Sequence, residues 1–134
     1  MSIQFDVPIR NGMLDVFEAL LGPNPILKIF NGTLPMDTTG ADPGTTLSTI
    51  ILPSDWMLAA ANGTKLMLGS WEDQAADNDG TATCYRFYTA AGVCRAQGPV
   101  SLTNGGSVLT VDDTLFKAGK LFRITAFALT AGNR

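Results

Sequence analysis

The chain contains no histidine. That excludes a Ser-His-Asp triad, a Cys-His nucleophile pair and every histidine-based zinc site. It has two cysteines, Cys84 and Cys94, fewer than the three or four thiolates of a cysteine-only zinc site. Charged residues are scarce, at 16% of 134 residues, where about a quarter is usual. The nine Lys and Arg form no cluster, and the net charge is −3. A nucleic-acid groove and an electrostatic membrane anchor both need clustered cations, so neither partner is expected. No apolar run approaches the ~20 residues that span a bilayer. Residues 1–6 lack the charged and apolar regions of a signal peptide, so synthesis in a cytoplasm is expected. There is no Gly-rich phosphate loop, because Thr114 stands where its first glycine belongs and Leu121 replaces its Ser/Thr. There is no Gly-x-Ser-x-Gly elbow either. These absences leave little vocabulary for catalysis. We expect no catalytic residue, no cofactor and no resident metal.

A chain of 134 residues makes a single domain, 1–134, able to bury about two thirds of its unfolded surface. Its low charge has two readings. Either the turns are built from Gly, Asn and Thr, or part of the surface lies against other subunits.

Ile3, Phe5 and Val7 alternate with polar residues until Pro8. Residues 1–9 therefore read as an extended N-terminal arm, either an edge strand of its own domain or an arm pairing with a neighbouring subunit. One short helix is predicted at about residues 11–21, with Asn11 as N-cap and Gly22-Pro23 as the stop. Met13, Leu14, Val16, Phe17, Leu20 and Leu21 are read as one apolar face, with Asp15 and Glu18 opposite.

The remainder reads as strands at about 26–30, 47–52, 65–69, 81–89, 93–98, 107–111 and 120–129. Asn31-Gly32, Asn62-Gly63 and Asn104-Gly105 supply the positive φ that tight turns need. Crossover helices between strands are missing, which argues against a parallel α/β fold. The predicted class is all-β, an antiparallel, jelly-roll-like β-sandwich of seven or eight strands with one short N-terminal helix. The last strand slips phase between Phe122/Ile124 and Phe127/Leu129. A bulge or a corner is predicted at Thr125-Ala126.

Cys84 and Cys94 flank a predicted hairpin turn at residues 90–92. Cys94 then faces Tyr88 or Thr89, which leaves the two cysteines roughly 13 Å or more apart along the strands. A disulfide needs Cα atoms within about 7 Å, so two free thiols are expected. Asp73, Asp77 and Asp79 crowd one loop ending at Gly80, but calcium-loop spacing would put its first ligand at Ala75 and its twelfth at Arg86. A solvated turn is expected there, as at Asp112-Asp113.

These segments carry a resemblance. A short helix running into Leu21-Gly22 is followed by Ile26-Leu27-Lys28-Ile29-Phe30-Asn31-Gly32-Thr33-Leu34-Pro35. Leu47-Ser48-Thr49-Ile50-Ile51-Leu52 comes next, then Gly80-Thr81-Ala82-Thr83-Cys84-Tyr85-Arg86-Phe87-Tyr88, a hairpin, and a closing strand from Leu121 to Thr130. Over roughly residues 10–130 this pattern resembles the small jelly-roll cement or decoration proteins of tailed bacteriophages. The resemblance implies a virion structural protein on the outer capsid surface. It would bind the major capsid protein and its own copies as a dimer or trimer, after synthesis in the host bacterial cytoplasm. The candidate partner-binding residues are Ile3, Phe5 and Val7 on the arm and Trp56, Met57 and Trp71 beside loops. A core role competes at each, since large apolar side chains are usually buried in their own domain. A neck, tail or fibre protein of the same kind of virion fits the pattern as well. A carbohydrate-binding β-sandwich is the alternative of another class, and it requires Trp56, Trp71 and Tyr85 or Tyr88 on one exposed face.

Overall fold

A computed structural model of the chain describes residues 3–103 and 105–131. The first element is α1 (Val7–Leu21), and Asp6 is its N-cap, accepting a hydrogen bond from the Ile9 N–H at 3.1 Å. Pro8 sits in the first turn, where the helix requires no N–H. Gly22, at φ 76°, ends it and donates its N–H to the Glu18 carbonyl. The expected extended arm is corrected by these facts. The alternation of Ile3, Phe5 and Val7 is cut by a capping aspartate, and Pro8 starts a helix instead of ending a strand. Residues 3–6 carry no regular structure, and Met1 and Ser2 lie outside the described residues. Asn11 is not a cap, because it sits inside the helix and accepts the Gly63 N–H at 2.9 Å.

Ten strands follow. They are β1 (Ile26–Phe30), β2 (Thr46–Ile51), β3 (Thr64–Leu66), β4 (Glu72–Asp73), β5 (Gly80–Thr81), β6 (Cys84–Tyr88), β7 (Cys94–Leu102), β8 (Leu109–Val111), β9 (Leu115–Phe116) and β10 (Phe122–Thr130). The strand expected at 81–89 is split into β5 and β6. The two-residue strands β4 and β9 are too short for any period to reveal. The chain is thus mostly β with one short helix, as its patterning predicts.

The main sheet runs β2-β1-β6-β7-β8-β10-β3, with β4 also pairing β10, and β5 and β9 form a separate ribbon. All pairs are antiparallel except β7 and β8, so the sheet is mixed where a purely antiparallel one was expected. Parallel neighbours normally need a long crossover. Here the shared register covers only Val100–Leu102 against Leu109–Val111. That is a return of about 7 Å, which residues 103–108 can span.

The sheet is curled. In a flat sheet β6 and β10 would lie roughly 14 Å apart. The rings of Phe87 on β6 and Phe127 on β10 are instead 5.0 Å apart. The two ends of the curl meet where Ser48 on β2 donates to Asp73 on β4 at 2.5 Å, and where the Asp77 N–H donates to the Leu47 carbonyl. The result is consistent with a β-sandwich. Leu27, Ile29, Trp56, Trp71, Phe87, Leu109 and Phe127 fill its interior. On β10 the register shifts between Ile124 and Ala126, the bulge predicted at Thr125-Ala126. It returns Phe127 to the core face that Phe122 and Ile124 occupy.

Candidate interaction surface

The six residues proposed as partner-binding are not brought together. Trp56, Met57 and Trp71 are enclosed, at 0%, 2% and 0% exposure. Their role as anchors is corrected. The Trp56 ring packs against Phe17, Trp71 and Phe87, and its indole N–H donates to the Gly22 carbonyl at 3.1 Å. Burying such rings is what gives the curl its core. Ile3 is exposed, Phe5 is half-buried, and Val7 is partly exposed in the first turn of α1.

The surface that stands out is the outer face of α1, and it is inverted relative to an ordinary surface helix. The apolar set expected on one face divides in two. Leu14, Phe17 and Leu21 turn inward, while Met13, Val16 and Leu20 turn out, joined by Ile9. At about 100° per residue, Ile9, Met13, Val16 and Leu20 lie within roughly 60° of one another. Each is at least half exposed. Pro8, Gly12 and Ala19 flank them and are exposed too.

All four polar side chains of the helix are spent on the body. Arg10 donates to the Ala131 carbonyl at 3.4 Å, and Asn11 holds Gly63. Asp15 and Glu18 clasp the Lys65 ammonium at 2.6 and 2.9 Å. The water-facing third of α1 is therefore without a charge or a hydrogen-bonding side chain. Gly12 adds to this. A methyl placed on it would meet nothing within 4 Å among the described residues, yet glycine in a helix interior costs about 1 kcal/mol against alanine. No contact among the described residues explains it. Ile9 was missed in the sequence because the helix was started at Asn11, a start that also put Gly12 at the helix end and not in its interior. With the cap at Asp6, the 9/13/16/20 spacing is plain.

The ionisable groups are structural. Lys65 is buried and donates also to the Leu58 carbonyl at 3.0 Å. Burial works to lower its pKa, but the bonds to Asp15 and Glu18 prevail and raise it, so it is not a base at neutral pH. Beside it lies an open cleft of about 440 Å³ that also borders Asp55 and Leu68. On the opposite side of the sheet, Arg86 is buried and bonds Asp42 at 2.9 Å, Gln97 at 3.1 Å and the Asp37 carbonyl at 3.3 Å. Tyr88 also donates to Asp42. These bonds latch loop 34–44 over β1, β6 and β7.

Burial pushes the Tyr85 hydroxyl up to about 12 and raises the pKa of Tyr88, which the Asp42 carboxylate raises further. Both cysteines are free, and burial raises both thiols, so neither is an activated nucleophile. Cys94 pairs with Tyr88 in the β6–β7 ladder, four positions from Cys84, which is the separation expected of unlinked thiols.

The acidic loop is held by the chain. Asp73 accepts from Ser48 and the Ala75 N–H, Asp77 from Thr49, and Asp79 from the Ala118 N–H. Trp56, Trp71, Tyr85 and Tyr88 are all buried, so the exposed aromatic face needed to stack on sugars is not formed. Among the described residues no helix is long and apolar enough to cross a membrane. Comparison with protein-family models, curated proteins and solved structures finds no match.

Proposed function

We propose that this protein is a non-catalytic virion subunit of a tailed bacteriophage, a cement or decoration protein bound to the major capsid protein on the outer surface of the shell. The sequence resemblance supports the assignment to such particles. The observation that carries the structural role is the uncharged outer face of α1. A helix that ties each of its polar side chains to the body and leaves Ile9, Met13, Val16 and Leu20 in water is suited to gripping protein neighbours. A decoration protein needs a rigid body and apolar contacts. Repetition over a symmetric lattice gives avidity, so each contact can be weak.

The test is a particle assembled without this chain. It should retain its shape but lose infectivity or DNA at a lower temperature or salt stress than the complete particle. Quantitative mass spectrometry of the complete particle should find hundreds of copies. Absence from the particle would end the proposal. Roughly a dozen copies would move the protein to the neck, tail or fibre, the second reading that the sequence pattern supports.

A further inference from the structure

We propose that the outer face of α1 is the seam of a two-fold homodimer, formed by antiparallel packing of α1 against α1 of a second copy. This names the partner of the surface described above and rests on the reading that α1 is a protein-contact face. Ile9, Met13, Val16 and Leu20 follow a four-three-four spacing, which is the seam of a helix that packs on another helix. Among the described residues α1 is the only helix, and its inner face is already committed to the core. A second helix for the seam is therefore most directly supplied by a second copy.

Charge selects the same occupant. Two copies each carrying −3 repel over most of their surfaces. The outer face of α1 brings no charge against its own image, so it is self-complementary as a two-fold contact must be. A membrane surface fits poorly. Helices that lie on bilayers carry Lys and Arg beside their apolar stripe, and the one basic side chain of α1, Arg10, is turned to Ala131.

Orientation follows from the helix. Antiparallel packing sets opposite ends of the two helix dipoles together. Centred between Met13 and Val16, it places Met13 of one copy against Val16 of the other, and Ile9 against Leu20. Gly12 and Ala19, one heptad apart on one flank, let the two backbones approach closely, and the open space above Gly12 becomes the space a second helix fills. The exposed residues of this face offer on the order of 500 Å² per copy, so the pair covers about 1,000 Å². That is the lower limit for a specific interface, so the association is expected to be weak.

Sedimentation equilibrium on the full chain from about 1 to 300 μM tests the seam. The expected result is a monomer–dimer equilibrium that Val16→Glu and, separately, Met13→Glu abolish, weakening association at least a hundredfold. Both side chains face water in the monomer, so circular dichroism and melting of the dilute protein should stay within a degree or two of wild type. If one variant fails to fold, the other stands in for it. A wild-type chain that stays monomeric to 300 μM would overturn the seam, as would a dimer or trimer indifferent to both substitutions. So would loss of capsid or vesicle binding by these variants while wild type remains monomeric. A monomer found at hundreds of copies on the particle sinks the seam and leaves the proposed function standing. A dimer absent from particles does the reverse.

Discussion

Two buried cations do most of the tying of loops and helix to the sheet. Lys65 gives its ammonium protons to Asp15, Glu18 and the Leu58 carbonyl and thereby holds α1 against β3. Removing one partner of a buried pair costs about 3–5 kcal/mol when the other is enclosed. Asp15 is half exposed and can rehydrate, so Lys65→Met is expected to cost about 2 kcal/mol, read from urea unfolding. Arg86 plays the same part for loop 34–44 through Asp42. Burial works to raise the Asp42 pKa, but the hydrogen bonds from Tyr88 and Arg86 outweigh it and hold it below the usual carboxylate range. A depressed folded pKa means its stabilisation is present above the unfolded value of about 4. It is lost as pH falls through the lower folded value. Asp42→Asn should cost about 1 kcal/mol at pH 7, a figure discounted for the partial exposure of the carboxylate. It should also flatten the decline in stability below pH 4, measured as unfolding free energy at steps from pH 6 to 2.5. An unchanged slope would show the latch to be idle. Neither cation could be recognised as buried from the sequence, because a lone Lys in Thr64-Lys65-Leu66 looks like any solvated strand residue.

Elements were legible to the degree that their punctuation was unambiguous. β1 was read to the residue because Pro25 and Asn31-Gly32 bound it, and the β10 bulge was readable because two apolar pairs, Phe122/Ile124 and Phe127/Leu129, fall out of phase. The start of α1 was misread because Pro8 has two meanings, and only the capping bond that Asp6 accepts from the Ile9 N–H decides between them. β7 shows how local chemistry shapes an element. Gly98 lies opposite Tyr85, and a methyl there would stand 2.7 Å from the Tyr85 hydroxyl and 2.9 Å from its ring. Tyr85 is buried and has little room to move. Gly98→Ala should therefore destabilise by about 1–3 kcal/mol through overpacking, and Tyr85→Phe in the same chain should recover part of it. Equal stability of Gly98→Ala and wild type in thermal unfolding would contradict this account. β7 is also unsuited to adding a foreign strand. Beyond its pairing with β6 and the three positions shared with β8, its edge is interrupted by the register shift near Cys94 and by Pro99, which has no N–H to give.

At the scale of the whole molecule, the β class was visible in the turn spacing, but the curl was not. Which strands face each other depends on contacts far apart in sequence, such as Phe87 with Phe127 and Ser48 with Asp73, and no local period encodes them. The same limit explains the misassigned anchors. Trp56 and Trp71 sit beside loops in the sequence and at the centre of the fold in space. The proposed function rests, in the sequence, on a pattern of strands and turns alone, while the α1 surface emerged once each polar side chain of the helix could be traced to its partner on the body. One further property comes from how the chain closes on itself. Arg10 and Asn11 in the first helix, Gly63 before β3 and Ala131 after the last strand are stitched together. Loose ends are where proteases and heat usually gain their first hold. Here the string is buckled into a hoop between Arg10 and Ala131, so the first turns of α1 and the far end of β10 come apart together and not one at a time.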